Sequence, residues 1–325
     1  MARLGRVRID KAETVTPTNR KLIGHPNDDP EFQKDEAALM ALGYRLLGTV
    51  ADAQDAVQET YVRWYSLGRE ERQGISVPLA WKRTTLTRIC FDRLKSSQYK
   101  REVYIGEWLP EPVQGGEFWG IASNPAADAG LETSESVSES ISMALMIVLD
   151  KMTPPERVSF ILHDVFQYTF EEIAEIIGRT PQACRQLAFS ARKRLGNRAR
   201  RQSSREEHAR LNEAFRAAWQ TGNVTALIAL LDSDAEAITD GGGKTAAATV
   251  PLIGSHAIAE FFAGIVERQP NLQVEIATVN CEPGLIGMAG DQIISVISTS
   301  VRNGVIHNIW AMRNPDKLRA WFKGD

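Results

Sequence analysis

Apolar residues recur every three or four positions between residues 168 and 201, in two short blocks separated by a glycine. This spacing predicts two amphipathic helices. Thr169 and Glu172 open the first block in the pattern of a capping box, and Gly178 follows its last apolar residue, where a left-handed C-cap needs no Cβ atom. Pro181 suits the first turn of the second helix. The pattern therefore predicts a helix-turn-helix.

The second of these helices has a polar face made of residue types that can read DNA bases. Arginine can donate two hydrogen bonds to a guanine edge in the major groove, and glutamine can pair with adenine. We therefore predict that this face contacts DNA, and a plain helical hairpin with a solvated charged face is the alternative. The polar residues are Gln182, Arg185, Gln186, Arg192 and Lys193.

Residues 31–103 also follow a helical pattern and predict three helices. The second is opened by acidic residues such as Asp55, whose charge suits the positive end of a helix. A loop is predicted over residues 68–78, before a third helix that mixes Trp81 and Phe91 with lysine and arginine. Such a mixture suits single-stranded nucleic acid, because cations bind phosphates and rings stack on unpaired bases. The alternative is that both aromatic residues belong to the core.

The pattern changes twice more along the chain. First, a stretch rich in Pro, Gly and Ser predicts a linker after the first helical unit. Second, the last part of the chain predicts helices and then strands with alternating apolar residues. Helices followed by antiparallel strands predict an α+β domain with helices on one face of a curved sheet. The chain is thus predicted to be multidomain, with two all-α units and one α+β domain. The predicted parts are a flexible extension (1–30), a first helical unit (31–103), a linker (104–140), a second helical unit (141–204) and the α+β domain (205–325).

Composition and charge narrow the class of protein. The 325 residues are 43% hydrophobic and 24% charged, as is typical of a globular protein. A net charge of −3 gives the whole chain no general attraction for nucleic acid, but residues 192–210 carry eight Lys or Arg against two acids. Three widely spaced cysteines favour neither a disulfide framework nor a zinc site, and no apolar run is long enough to span a membrane. We expect a cytoplasmic protein without metal or cofactor.

Two segments and three short motifs resemble one bacterial family. Residues 35–100 resemble region 2, and residues 141–200 resemble region 4, of the extracytoplasmic-function sigma factors of RNA polymerase. The remainder resembles a SnoaL-like domain, a cone-shaped fold of the nuclear-transport-factor-2 superfamily that one sigma subgroup carries. The marker motifs of that subgroup occur in order as YIGEWLPEP (104–112), DGGGK (240–244) and NPDKL (314–318).

The resemblance implies partners and a role for four groups of residues. The partners would be promoter DNA and the polymerase core, bound at the clamp helices of β′ and the flap of β. Polymerase contacts would be made by Asp55, Gln58 and Glu59. The −10 element would be contacted by Trp81, Lys82, Arg83, Arg88, Asp92 and Arg93. The −35 element would be read by the five polar residues of the helix-turn-helix. Regulatory contacts would involve Trp108, Pro110, Asp240, Gly241, Lys244, Asn314, Pro315, Asp316 and Lys317.

Two positions depart from the pattern of the family. Arg88 stands where the family often has asparagine, and Ser190 stands where it often has a basic residue. Both departures weaken any inference from the resemblance about which bases are read.

The C-terminal domain has three interpretations. The resemblance implies a regulator that replaces a separate anti-sigma protein and is not an enzyme. An enzyme like the SnoaL-like cyclases and isomerases would use Asp240, His256 and His307 as acid–base groups. A sensor would bind a small molecule in the pocket of the domain and shift the domain arrangement. We expect no catalysis, because no second acid, nucleophile or metal-ligand spacing accompanies these residues.

Overall fold

The structure, a computed structural model, describes residues 30–102, 104–114, 141–195 and 203–321. The predicted flexible extension lies outside the described residues. The first helical unit contains α1 (Pro30–Leu47), α2 (Val50–Ser66), α3 (Arg69–Gly74) and α4 (Pro78–Glu102). The predicted loop over 68–78 is partly wrong, because α3 forms within it. Its first turn is closed by Glu71, whose carboxylate accepts a 2.8 Å hydrogen bond from the Gly68 N–H.

The second helical unit contains the predicted helix-turn-helix. Its helices are α5 (Met143–Asp150), α6 (Pro154–Phe160), α7 (Phe170–Ile177) and α8 (Pro181–Leu195), with a π-helical turn at Ile161–Val165. The capping box is formed, since the Thr169 N–H donates to the Glu172 carboxylate at 2.8 Å. Gly178 ends α7 in the left-handed region, with φ of 68°. The local signals that predicted the turn therefore act as expected.

One hydrophobic core runs through both helical units. Leu42 and Leu86 of the first unit are buried in the same cluster as Val158 and Ile173 of the second. In space, α4 packs against α6 and α7. Because apolar surface of both units is removed from water at this contact, the hydrophobic effect holds the units together.

The C-terminal domain has the predicted α+β architecture. Its helices are α9 (Arg205–Gln220), α10 (Val224–Leu230) and α11 (Ser255–Arg268). Its strands are β1 (Leu231–Asp240), β2 (Leu252–Ile253), β3 (Leu272–Val279), β4 (Glu282–Ala289), β5 (Gln292–Arg302) and β6 (Val305–Met312). They form one sheet in the order β2-β1-β6-β5-β4-β3, in which β1 and β6 are parallel and the other pairs are antiparallel. Two short 3-10 helices, Pro315–Lys317 and Arg319–Trp321, follow β6.

Aromatic residues of the helices fill the space over this sheet. Phe215 and Trp219 of α9 pack against Phe262 of α11, with ring centroids 5.2 and 4.9 Å from that of Phe262. All three side chains are buried. Edge-to-face packing of this kind adds to the stability that burial provides. Among the described helices, none has the length and apolar character needed to cross a membrane.

A buried polar chain in the C-terminal domain predicts sensitivity to acid. His208 Nε2 lies 2.7 Å from Thr299 Oγ1, and Thr299 donates to Asn212 Oδ1 at 2.8 Å. Burial, together with the nearby Arg205, lowers the pKa of His208 to about 4. The pKa of a histidine in an unfolded chain is about 6.5. We therefore expect stability to be retained above about pH 6.5 and lost as pH falls through 6.5 toward 4, by up to about 3 kcal/mol.

Urea unfolding at pH 7 and pH 4.5 measures this effect if wild type is compared with His208→Gln. Glu111 titrates in the opposite sense, since burial raises its pKa to about 7, so variants rather than pH values must be compared. The exposed His256 provides the control, as His256→Gln. If His208→Gln loses as much stability on acidification as wild type, His208 is not the responsible group.

Candidate nucleic-acid interface and interdomain junction

The exposed face of α8 carries every side chain predicted to contact the −35 element. Arg192 is held in place by Asp164, to which its Nε and Nη2 donate at 2.7 and 3.1 Å. The Arg185 guanidinium lies 5.2 Å from the centre of the Phe170 ring on α7. The face is thus partly ordered before any DNA arrives. Its exposed members are Gln182, Arg185, Gln186, Arg192 and Lys193.

Phe189 is a residue of this face that sequence reasoning missed. Its side chain is 66% exposed, although the other apolar residues of α8 lie on the adjacent, buried face of the helix. Its position supplied a signal, because it lies three residues after Gln186 and four after Arg185, and so on the same helical face. An exposed phenylalanine can pack on the methyl group of thymine in the major groove.

Lys82 lies in a different environment from the one expected of a DNA-contacting lysine. Its ammonium is buried and pairs with Asp35 at 2.6 Å. The same group lies 5.3 and 5.2 Å from the ring centres of Tyr61 and Trp64. In this conformation Lys82 therefore stabilises the packing of α4 on α1 and α2 and is not at the surface.

The other aromatic residues of α4 divide between the core and the surface. Phe91 is 7% exposed and belongs to the shared core, so the core interpretation holds for this ring. Trp81 is half-buried, and its ring centre lies 5.3 Å from that of Trp64. Asp92 is exposed and pairs with Lys95 at 3.1 Å.

Two basic residues of α4 face the second helical unit. Arg88 reaches the carbonyl oxygen of Glu175 on α7, with an Nη2–O distance of 3.5 Å. Burial lowers the pKa of Arg83, which is also influenced by Tyr168 of the second unit. Of these two predicted −10 contacts, Arg83 is partly buried beside the second unit, whereas Arg88 is exposed at its edge.

The residues predicted to bind polymerase lie on α2. Asp55 and Gln58 are exposed. Glu59 pairs with Arg63 at 2.6 Å and with Arg93 of α4 at 3.1 Å. Arg93, a predicted −10 contact, is thus joined to the predicted polymerase face.

The three motifs meet at the carboxylate of Asp240. Asp240 is fully buried at the end of β1. Its oxygens accept from Tyr104 Oη at 2.6 Å and the Leu109 N–H at 3.0 Å, both in the linker. They also accept from the Gly242 N–H at 3.0 Å and from Lys317 Nζ at 2.7 Å. One side chain of the DGGGK segment thereby fixes the linker and the C-terminal segment together.

Lys317 completes this cluster from the NPDKL segment. Its buried ammonium donates to the Leu109 carbonyl at 2.6 Å as well as to Asp240. It lies 4.2 Å from the centre of the Trp108 ring and 5.0 Å from that of Tyr104. A buried cation with a carboxylate partner and aromatic faces has its charge well compensated.

The remaining motif residues shape the loops around the cluster. Gly241 has no room for a side chain, since an added Cβ would lie 2.4 Å from the Thr245 carbonyl oxygen. Asn314 donates to Tyr104 Oη at 2.8 Å and accepts from the Asp316 N–H, where Pro315 begins a 3-10 helix. Lys244 pairs with Asp316 at the surface.

The linker also docks on the first helical unit. The Glu111 carboxylate accepts from the Val50 N–H at 2.8 Å, at the start of α2. The Glu111 carbonyl accepts from Tyr44 Oη at 2.8 Å. Gly48 has φ of +83°, and a Cβ there would lie 3.2 Å from Trp108 and 3.9 Å from Pro110. The linker is therefore held between the C-terminal domain and the first unit.

The turn between β3 and β4 makes a second contact to both helical units. Asn280 is fully buried, and its amide donates to Tyr44 Oη and to the Ile141 carbonyl, each at 2.8 Å. Its side-chain oxygen accepts from the Val113 N–H at 3.1 Å. No local feature of the sequence indicates this role for Asn280.

The acid–base residues considered for an enzyme are not brought together. His307 lies near the start of the β1–β6 pair, 3.6 Å from Asp232, whereas Asp240 lies at its far end opposite Met312. Five residues of strand separate these positions, which is about 16 Å. His256 is exposed at the start of α11. Asp240 is already saturated with hydrogen bonds, so this arrangement favours a structural role.

Comparisons with known proteins agree with this geometry. A family model described as Sigma-70 region 2 matches residues 32–99, and one described as Sigma-70, region 4 matches residues 142–195. The chain is 35% identical over 300 residues to the ECF RNA polymerase sigma factor SigJ of Mycobacterium tuberculosis, covering 89% of this chain and 92% of the relative. It is 26% identical to the probable ECF RNA polymerase sigma factor SigI of the same species, over 90% and 96% of the two chains.

The fold agrees over the same span. The crystal structure of the M. tuberculosis extracytoplasmic function sigma factor SigJ superposes with a TM-score of 0.67 at 33% identity, covering 89% of this chain and 98% of the other. That span includes both helical units and the C-terminal domain. The chain belongs to the extracytoplasmic-function sigma factors of RNA polymerase.

Proposed function

We propose that this chain directs RNA polymerase to specific promoters and that its C-terminal domain controls this activity in cis. The observation that most supports this proposal is the junction at Asp240 and Asn280. Its hydrogen bonds connect the C-terminal domain to the linker and to both helical units. The domain thus supplies, within one chain, contacts that could hold the DNA-reading units in a fixed arrangement.

The shared core fixes the two helical units against each other, while the −35 face stays exposed. Two linked sites bind more tightly than either alone only when their geometry lets both be engaged together. The proposed control is that the fixed arrangement restricts the relative position of the two DNA-reading units and thereby lowers their affinity for a promoter.

Opening the junction at Asn280 should raise transcription. Asn280→Ala removes three side-chain hydrogen bonds, and alanine tolerates the φ of 50° at this position less well than asparagine. We expect at least fivefold more transcript from full-length protein and core polymerase, measured in vitro on a promoter selected from random DNA.

Asn303→Ala provides a matched control. Asn303 has φ of 52° in the exposed turn between β5 and β6, so the variant carries the same backbone cost and leaves the junction intact. It should transcribe as wild type does. Equal transcription by Asn280→Ala and Asn303→Ala would reject control in cis through this turn.

The −35 assignment is tested by Arg185→Ala. Loss of a bidentate contact to a base should weaken promoter binding by about 1–3 kcal/mol. Fluorescence anisotropy of the holoenzyme on a series of −35 variants should show relaxed preference at one base pair. The exposed Lys151, changed to alanine, serves as the control in the same unit. An unchanged −35 preference would contradict the assignment of Arg185.

A further inference from the structure

The π-helical turn between α6 and α7 has an unusual backbone and lies beside the −35 face. Over Ile161–Val165 the helix is wider than an α-helix, and the Phe166 N–H donates to the Ile161 carbonyl, five residues earlier, at 3.2 Å. Gln167 then adopts a φ of 58°, in the left-handed region that residues other than glycine rarely occupy. Turns of this kind are rare and often occur at functional sites. The chain thus keeps an energetically costly turn next to the helix that is predicted to read DNA.

Asp164 of this turn holds Arg192 by one edge of the guanidinium. Arg192 donates from Nε and Nη2 to the two carboxylate oxygens, at 2.7 and 3.1 Å. A guanidinium has a second edge, formed by Nη1 and Nη2, whose two parallel N–H donors this contact does not use. Two parallel donors are what an arginine needs to contact O6 and N7 of guanine. Asp164 therefore fixes the orientation of a side chain that is 41% exposed and leaves its second edge available.

His163 supports a second arginine of the −35 face through an aromatic ring. Its imidazole stacks on Phe170, with ring centres 4.0 Å apart and planes inclined by 27°. Its Nδ1 lies 2.9 Å from the Tyr168 carbonyl oxygen, which can only accept, so Nδ1 carries the hydrogen and the ring orientation is fixed. The Arg185 guanidinium lies 5.2 Å from the centre of the same Phe170 ring. A continuous line of contacts therefore leads from the turn to α8.

We propose that His163 and Asp164 are positioning residues, which set the base preference of the −35 face without touching DNA themselves. This rests on the proposed function and assigns two residues that lie outside the recognition helix. An arginine that is fixed before DNA arrives loses less side-chain entropy on binding, so a correct base pair gains more affinity from the contact. A carboxylate at this face also repels phosphate groups, which weakens binding to DNA of any other sequence.

Asp164→Asn separates these effects, because it should change specific and non-specific binding in opposite directions. Fluorescence anisotropy of the holoenzyme on promoters with each −35 base pair changed in turn should show about fivefold less preference at one base pair. Binding of the full-length chain to random duplex DNA should become about twofold tighter. The double variant Asp164→Asn with Arg192→Ala should have the same preference as Arg192→Ala alone, since Asp164 acts through Arg192.

His163→Ala should lower the preference at the base pair that Arg185→Ala affects, by about threefold, because the support of the Phe170 ring is lost. His163→Phe restores a ring that can stack on Phe170 and should retain the wild-type preference. Glu175→Gln is the control for both variants, since it removes an exposed charge from the same helical unit. It should leave the −35 preference unchanged.

Three results would overturn the proposal. One is tighter binding of Asp164→Asn to the specific promoter as well as to random DNA, since Asp164 would then withhold Arg192 from DNA. Another is an unchanged −35 preference in Asp164→Asn or in His163→Ala. The third is a loss of preference that only follows a lower Tm and that His163→Phe does not restore. If the wild-type holoenzyme shows no −35 preference at all, the proposed function itself fails.

Discussion

Asp240→Ala should release the linker and lower the free energy of unfolding by about 3–5 kcal/mol. The change removes the carboxylate that accepts from Tyr104, Leu109 and Gly242, and it takes the Asp240 charge away from the buried Lys317 ammonium. Removing one partner of a buried ion pair typically costs this much, because the remaining charge stays desolvated. Urea unfolding at pH 7 measures the loss, and limited proteolysis should show faster cleavage near residues 104–114.

Asp234→Asn is the matched control for this variant. Asp234 lies on the same strand but is exposed, so its neutralisation should change stability by less than about 0.5 kcal/mol. The double variant Asp240→Ala with Lys317→Met should recover part of the loss, since the buried cation is removed together with the carboxylate. If Asp240→Ala is as stable as Asp234→Asn, the three motifs are not joined through this carboxylate.

Arg157→Met should separate the two helical units at a cost of about 3 kcal/mol. Arg157 is 1% exposed on α6, and its Nε and Nη2 donate to the Arg45 carbonyl at the end of α1 at 3.3 and 3.1 Å. Hydrogen bonds from a charged group contribute about 1.5–3 kcal/mol each when buried, and a cation at a helix C-terminus adds favourable electrostatics. Small-angle X-ray scattering should show a larger radius of gyration, and transcription should rise.

Arg194→Met tests whether any loss of arginine from the second unit has this effect. Arg194 also donates to a carbonyl, that of Lys151 at 3.3 Å, but its side chain is 49% exposed and contacts its own unit. It should leave the radius of gyration unchanged. A compact Arg157→Met protein with wild-type stability would show that Arg157 does not hold the units together.

Local features of the sequence predicted the helix-turn-helix because the forces that define it act over a few residues. Thr169 and Glu172 form hydrogen bonds to backbone N–H groups at the start of α7. Gly178 ends the same helix in the left-handed conformation. The strands of the C-terminal domain could be predicted for a similar reason. Successive side chains of a strand point to opposite faces of the sheet, so burial of one face makes apolar residues alternate along the sequence. Such signals need no knowledge of the tertiary fold.

The junction could not be derived in this way because its partners lie far apart in the chain. Asp240 meets Tyr104, 136 residues away, and Lys317, 77 residues away. The resemblance marked these segments as regulatory, but nothing local indicated that one carboxylate joins them. For Lys82 the local sequence gave the wrong environment. A lysine on a basic helix suggested contact with DNA, but its side chain is buried against Asp35, which lies 47 residues earlier in the chain.

The core shared by the two helical units makes the closed state dependent on temperature. Separating the units would expose apolar side chains such as Leu86 and Ile173 to water, which raises the heat capacity of the open form. Hydrophobic attraction weakens on cooling, so cold shifts such an equilibrium toward separation. If promoter binding requires the units to separate, as proposed, the apolar surface that α4 shares with α6 and α7 sets a thermal bias on promoter access.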